Sequence, residues 1–125
     1  MKPVIVDTSV WRQFFAGRPT ARRLGALLEE YGLVLVHPIV IGELVLGGLS
    51  VREERLLQTL PSSDRVPYDE VLSFVRHRRL MRKSIGWVDA ELIASALSSG
   101  ASLWSLDNAL AEAASALDAG WPPEK

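Results

Sequence analysis

Pro3-Val4-Ile5-Val6-Asp7-Thr8-Ser9-Val10-Trp11 is the stretch whose reading decides the fold. Pro3 to Val6 is apolar, rich in β-branched residues and too short for a helix, which predicts a buried strand. Asp7-Thr8-Ser9 follows at once and offers three potential N-caps to a helix running to Phe15, ended by Gly17 and Pro19. The same pattern recurs twice. Leu33 to Val36 predicts a second strand, followed by a helix over Ile39–Leu46 with Pro38 in its first turn. Ala101 to Leu106 contains a third strand, ahead of a helix over Asn108–Leu117.

Further helices are expected between these units. Thr20–Tyr31 puts Leu24, Leu27 and Leu28 on one face and stops at Gly32. Ser50–Leu60 is amphipathic and closed by Pro61. Asp69–Lys83 turns Val71, Leu72, Val75 and Leu80 inward and its arginines outward, and Trp87–Leu97 runs into the Ser98-Ser99-Gly100 break. Buried apolar strands alternating with helices predict a parallel sheet covered on both faces, a three-layer α/β/α sandwich. With no internal repeat or linker, residues 1–125 read as a single domain.

Composition narrows the chemistry. Among 125 residues, 48% are hydrophobic and 23% charged, so a disordered chain is excluded. Zero cysteines exclude a disulfide scaffold, Cys-ligated zinc, an iron–sulfur cluster and a Cys nucleophile. Asp7 comes too early for a signal-peptide apolar core, and no stretch approaches the roughly 20 apolar residues of a membrane span. A soluble, cytoplasmic protein without a membrane partner is expected.

Four carboxylates stand out. Glu43 lies in Ile39-Val40-Ile41-Gly42-Glu43-Leu44-Val45-Leu46, otherwise apolar all round. It must find a partner, a metal or a proton, or else snorkel to the surface. Asp7, Asp89 and Asp107 each fall at a strand end or helix start, where N-capping or the helix dipole would account for any one of them. A parallel sheet, however, gathers such positions along one edge. Four acids together would take up protons unless a cation neutralised them. An oxygen-only donor set favours Mg²⁺, with Mn²⁺ also possible, over zinc. Setting the four aside leaves 11 acids against 14 basic residues, a balance of +3. Arg76, Arg78, Arg79, Arg82 and Lys83 crowd one segment that is either a solvated face or a candidate RNA-binding surface.

Asp7-Thr8-Ser9-Val10-Trp11, Pro38 to Gly47 around Glu43, Gly86-Trp87-Val88-Asp89-Ala90 and Leu103-Trp104-Ser105-Leu106-Asp107 together resemble the PIN-domain family. They resemble more closely its VapC-type toxin ribonucleases of prokaryotic toxin–antitoxin systems. The resemblance implies that Asp7, Glu43, Asp89 and Asp107 form the catalytic, metal-binding quartet, with a supporting hydroxyl from Thr8 or Ser9. Ser105 stands where the family often has Thr and keeps the hydroxyl. The implied activity is Mg²⁺-assisted endonucleolytic cleavage of structured RNA such as tRNA or rRNA. It would be restrained by a cognate antitoxin in a homodimer or toxin–antitoxin hetero-oligomer. No histidine is then needed as general base, and a structural or surface role is expected for His37. A partner segment docking on early aromatics such as Trp11, Phe14 and Phe15 could deliver an Arg or Lys among the acids. Near Gly120–Lys125 the family's last strand would be brief or missing. Two other readings stay open: a PIN-like RNA- or protein-binding module without catalysis, and a phosphatase or phosphoacceptor domain on a similar sheet.

Overall fold

The computed structural model describes residues 2–123. Three parallel strands form its sheet in the order β2-β1-β3. The central strand β1 (Val4–Val6) pairs with β2 (Val34–Leu35) through Val4–Val34 and Ile5–Leu35. On its other side it pairs with β3 (Ser102–Trp104) through Val4–Ser102, Ile5–Leu103 and Val6–Trp104. All residues of β1 and β3 are buried. A strand buried on both faces needs helices above and below it, so the sandwich expected from sequence is the one observed.

Seven α-helices are found among the described residues: α1 (Thr8–Phe15), α2 (Arg22–Leu28), α3 (Pro38–Leu46), α4 (Val51–Gln58), α5 (Tyr68–His77), α6 (Trp87–Ser98) and α7 (Asn108–Ala116). The core joins β1 and β3 to Val10 and Trp11 of α1, Val40 and Leu44 of α3, and Leu92, Ile93 and Ala96 of α6. No helix among the described residues is long and apolar enough to cross a membrane.

Several boundaries differ from expectation. The Thr20–Tyr31 segment is a 3-10 turn over Pro19–Ala21 followed by the short α2, which stops at Glu29. Acidic Glu29 and Glu30 oppose the negative end of a helix, and Gly32 at φ +96° takes a conformation that suits glycine. The Asp69–Lys83 helix ends at His77. Beyond it the Arg79 amide bonds the Arg76 carbonyl (3.2 Å) and the Leu80 amide bonds the Val75 carbonyl (2.9 Å). This Schellman closure places Arg79 at φ +55° and folds Leu80 back into buried surroundings. Arg78, Arg79, Arg82 and Lys83 therefore belong to an exposed loop, not to a helix face.

The second strand has only two residues, after which Val36 makes a single parallel bridge to Ser62. At the far edge Gly120 makes a single parallel bridge to Leu103, the brief remnant of a last strand. A Cβ there would stand 3.0 Å from Ser115 Cα, so glycine permits the approach. Glu124 and Lys125 lie outside the described residues. Trp11 is wholly buried, while Phe14 and Phe15 are half-buried against it. That trio is largely packing. Exposed apolar side chains include Val45, Leu46 (91% exposed) and Val51 around the α3–α4 corner.

Candidate active site

Asp7 leaves the end of β1 as the N-cap residue of α1, yet its side chain makes no capping bond. Its Oδ2 instead accepts hydrogen bonds from Ser9 Oγ (3.0 Å) and Ser105 Oγ (2.8 Å). Ser105 follows β3 directly, and its Oγ also accepts from the Asp107 amide (3.0 Å). Ser9 Oγ accepts from the Leu106 amide (3.0 Å). Two hydroxyls thus tie the ends of the neighbouring strands β1 and β3 together through one buried carboxylate. Two uncharged hydroxyl donors fix Asp7 without neutralising it.

Glu43 finds a different partner. Thr8, buried at the start of α1, donates from Oγ1 to Glu43 Oε1 at 2.8 Å. The acid that had no reason to be in its helix is held by a hydroxyl of the strand-end motif.

Asp89 and Asp107 both keep the capping role open to them. Asp89 Oδ2 accepts from the Gly86 amide (3.1 Å) at the start of α6, and Asp107 Oδ1 accepts from the Leu110 amide (3.2 Å) at the start of α7. Burial pushes the Asp89 carboxyl up from its ordinary 3.8. The Gly86 amide opposes this, and the charges of Asp7, Asp107 and Glu43 each raise it further. Four elements distant in sequence therefore place their acids in one electrostatic field.

The bonding leaves a consistent remainder. Among the described residues Asp7 Oδ1, Glu43 Oε2, Asp89 Oδ1 and Asp107 Oδ2 have no hydrogen-bond partner. Nor does any of the four acids form an ion pair; the single pair among the described residues joins Arg65 to Glu91. One uncommitted oxygen per acid, with no cationic side chain against it, is a donor set suited to a hard divalent ion. Asp89 feels the charges of the other three acids, yet among the described residues no three carboxyl or imidazole groups stand close enough to form a finished metal cage.

Three of the basic residues in the loop after α5 border the helices that start near Asp107 and Asp89. Arg78 and Lys83 line a cavity against Ala109 and Ala113 of α7, and Arg82 lines another with Gly86 and Trp87 at the start of α6. His37 is buried and structural. Its Nδ1 accepts from the Ile39 amide (3.1 Å) at the start of α3, which leaves Nε2 to donate to Ser95 Oγ (3.0 Å) on α6. The sequence reading passed over Glu91, a buried acid in α6 whose Oε1 accepts from both Nε and Nη2 of Arg65. It also passed over the contact between Tyr68 and Trp87. An acid inside an apolar helix was the available signal for Glu91; nothing in the sequence marked the pairing of the two rings.

A parallel three-stranded sheet covered by helices, with Asp7 at the end of β1 and Asp107 beyond β3, defines an α/β domain of one class. The chain belongs to the PIN-domain family, in its VapC-type branch: the PIN domain profile matches residues 4–116. Ribonuclease VapC32 of Mycobacterium tuberculosis, from strains CDC 1551 / Oshkosh and ATCC 25618 / H37Rv alike, is 43% identical over 112 residues, 86% of each chain. The crystal structure of FitAcB from Neisseria gonorrhoeae shares the fold at a TM-score of 0.60, with 19% identity over 90% of this chain and 93% of that one.

Proposed function

We propose that this protein is a metal-dependent endoribonuclease, the toxin of a type II toxin–antitoxin pair. One observation carries the reading: four acids remote in sequence each keep one oxygen free of hydrogen bonds within a shared field. The 43% identity to a protein named as a ribonuclease supports it. Asp7, Glu43, Asp89 and Asp107 would hold Mg²⁺, or Mn²⁺ in its place. When bound, the ion supplies Lewis acidity toward phosphate oxygens and makes a water acidic enough to attack.

The chain's own residues prepare that site. Ser9 and Ser105 orient Asp7, and Thr8 orients Glu43, so binding costs little rearrangement of these two. Neutral, buried His37 takes no part in proton transfer. Arg76, Arg78, Arg79, Arg82 and Lys83 are proposed to hold phosphates of the RNA beyond the cleaved linkage. The cognate antitoxin is the protein partner, in a homodimer or toxin–antitoxin hetero-oligomer.

Asp7→Asn tests the centre, since it keeps the shape and removes the charge. Cleavage of total RNA in Mg²⁺ should fall by more than the roughly 10–100-fold typical of deleting an outer partner of a metal ligand. Ser105→Ala, which removes such an outer partner, should fall within that range. Both variants should keep the wild-type circular dichroism. A folded Asp7→Asn that cleaves as well as wild type would remove Asp7 from the proposed metal site, whereas a wild type that binds RNA without cleaving it would favour a binding module.

A further inference from the structure

Tyr68 opens α5 and Trp87 opens α6, yet their rings meet with centroids 5.1 Å apart at an interplanar angle of 32°. Both are open to solvent, Tyr68 at 65% and Trp87 at 40%, in a chain that buries Trp11 and Trp104. The pair borders a cavity of about 380 Å³ together with Arg65, Pro67, Val71 and Glu91. On its other side Trp87 shares a cavity with Arg82 and Gly86. Trp87 therefore borders one cavity with each of two cations, and Tyr68 borders the first of them. Arg65 is ion-paired through Nε and Nη2, but its side chain remains 59% exposed.

We propose that Tyr68 and Trp87 form a platform on which an unpaired base of the RNA substrate stacks, a reading that rests on the ribonuclease function above. Flat apolar groups joined by negative charges are the chemistry of single-stranded RNA. Exposed aromatics flanked by basic residues are how proteins hold it without reading sequence. An apolar protein partner would match the rings and leave Arg82, which makes no ion pair among the described residues, unmatched. Trp87 precedes Asp89 by two residues, and the Gly86 amide bonds the Asp89 carboxylate. Positions 87 and 89 lie about 200° apart around the helix, so the stacked base belongs to a different part of the strand from the cleaved linkage. The platform thus binds and aligns substrate, and touches no reacting atom.

The test uses a short single-stranded RNA of mixed sequence, binding read by fluorescence anisotropy in EDTA so that the strand survives. Trp87→Ala should weaken binding roughly tenfold, Trp87→Leu should match it, and Trp87→Phe should keep most of the affinity. A series of RNAs with one base removed at successive positions adds a readout that a structural role would not move. Wild type should lose affinity at one position, and Trp87→Ala should be indifferent there. Tyr68→Ala, at the more exposed ring, should show a smaller loss in the same sense and serves if Trp87→Ala does not fold. Unchanged RNA affinity in both folded alanine variants overturns the platform, as it would if the rings instead received a protein. Cleavage of the same RNA in Mg²⁺ is followed in parallel. A wild type that cleaves while Trp87→Ala binds normally overturns the platform alone, whereas a wild type that neither binds nor cleaves RNA overturns the ribonuclease reading with it.

Discussion

His37 serves the fold, the structural role its place before Pro38 suggested. Its two ring nitrogens are spent on the first turn of α3 and on Ser95 of α6, and the residue is 0% exposed. Burial holds its pKa below the ordinary 6.5; Glu91 opposes this and Arg65 reinforces it. A base whose folded pKa is lowered contributes stability above the unfolded value and loses it as pH falls below 6.5. The loss is at most about 1.4 kcal/mol per pH unit. His37→Asn keeps an acceptor for the Ile39 amide and cannot titrate. Its urea midpoint should therefore fall less between pH 7.5 and 5.5 than that of wild type, although the variant starts lower because Ser95 loses its partner. An equal fall in both would assign the pH dependence elsewhere. At this scale Glu43 was legible because a carboxylate among apolar neighbours has no local excuse. Glu91 was the same kind of residue, but its explanation, Arg65, lies 26 positions away and gives no local sign.

Elements were legible where the signal was continuous. Val4–Val6 and Ser102–Trp104 are uninterrupted and buried on both faces, so their strands and the acids that follow them could be placed from sequence. The end of α5 could not. Its Schellman closure uses Arg79 at φ +55° where glycine is usual, and the driving feature is the burial of Leu80, a tertiary event. A non-glycine residue in that conformation costs on the order of 1 kcal/mol. Arg79→Gly should thus stabilise the protein by a few tenths to about 1 kcal/mol, part of the gain being offset by glycine's greater freedom when unfolded. The same change removes a cation from the loop. If Arg79 holds a phosphate, the salt dependence of RNA binding should flatten by roughly 0.7 in slope. More stability with an unchanged slope would confine Arg79 to its turn.

At the scale of the whole molecule, a formal charge of −1 conceals a division: 11 acids and 14 basic residues remain outside Asp7, Glu43, Asp89 and Asp107. The fold concentrates negative charge where strands end and leaves the remainder mildly basic, which suits a polyanion drawn toward a cation held at the centre. That concentration has a cost in the absence of metal. Asp89 has its pKa raised, first by burial and then by Asp7, Asp107 and Glu43. An acid raised in this way favours the fold below its ordinary 3.8, and the benefit is lost as pH rises through the folded value. At pH 7 in EDTA, Asp89→Asn should therefore melt above wild type, and the difference should shrink toward pH 3.5. Divalent metal should reverse the order. Binding to the folded state alone adds about 2.7 kcal/mol at a hundredfold excess over Kd, a rise of roughly 10 °C for a chain of this size. Wild type should gain this in Mg²⁺ or Mn²⁺, and Asp89→Asn, with one oxygen donor weakened and one charge removed, should gain much less. Melting curves in EDTA and in millimolar metal would cross between the two proteins. A wild-type melting temperature that neither ion moves would mean that the four carboxylates hold no cation, and that their mutual repulsion is tolerated for another reason.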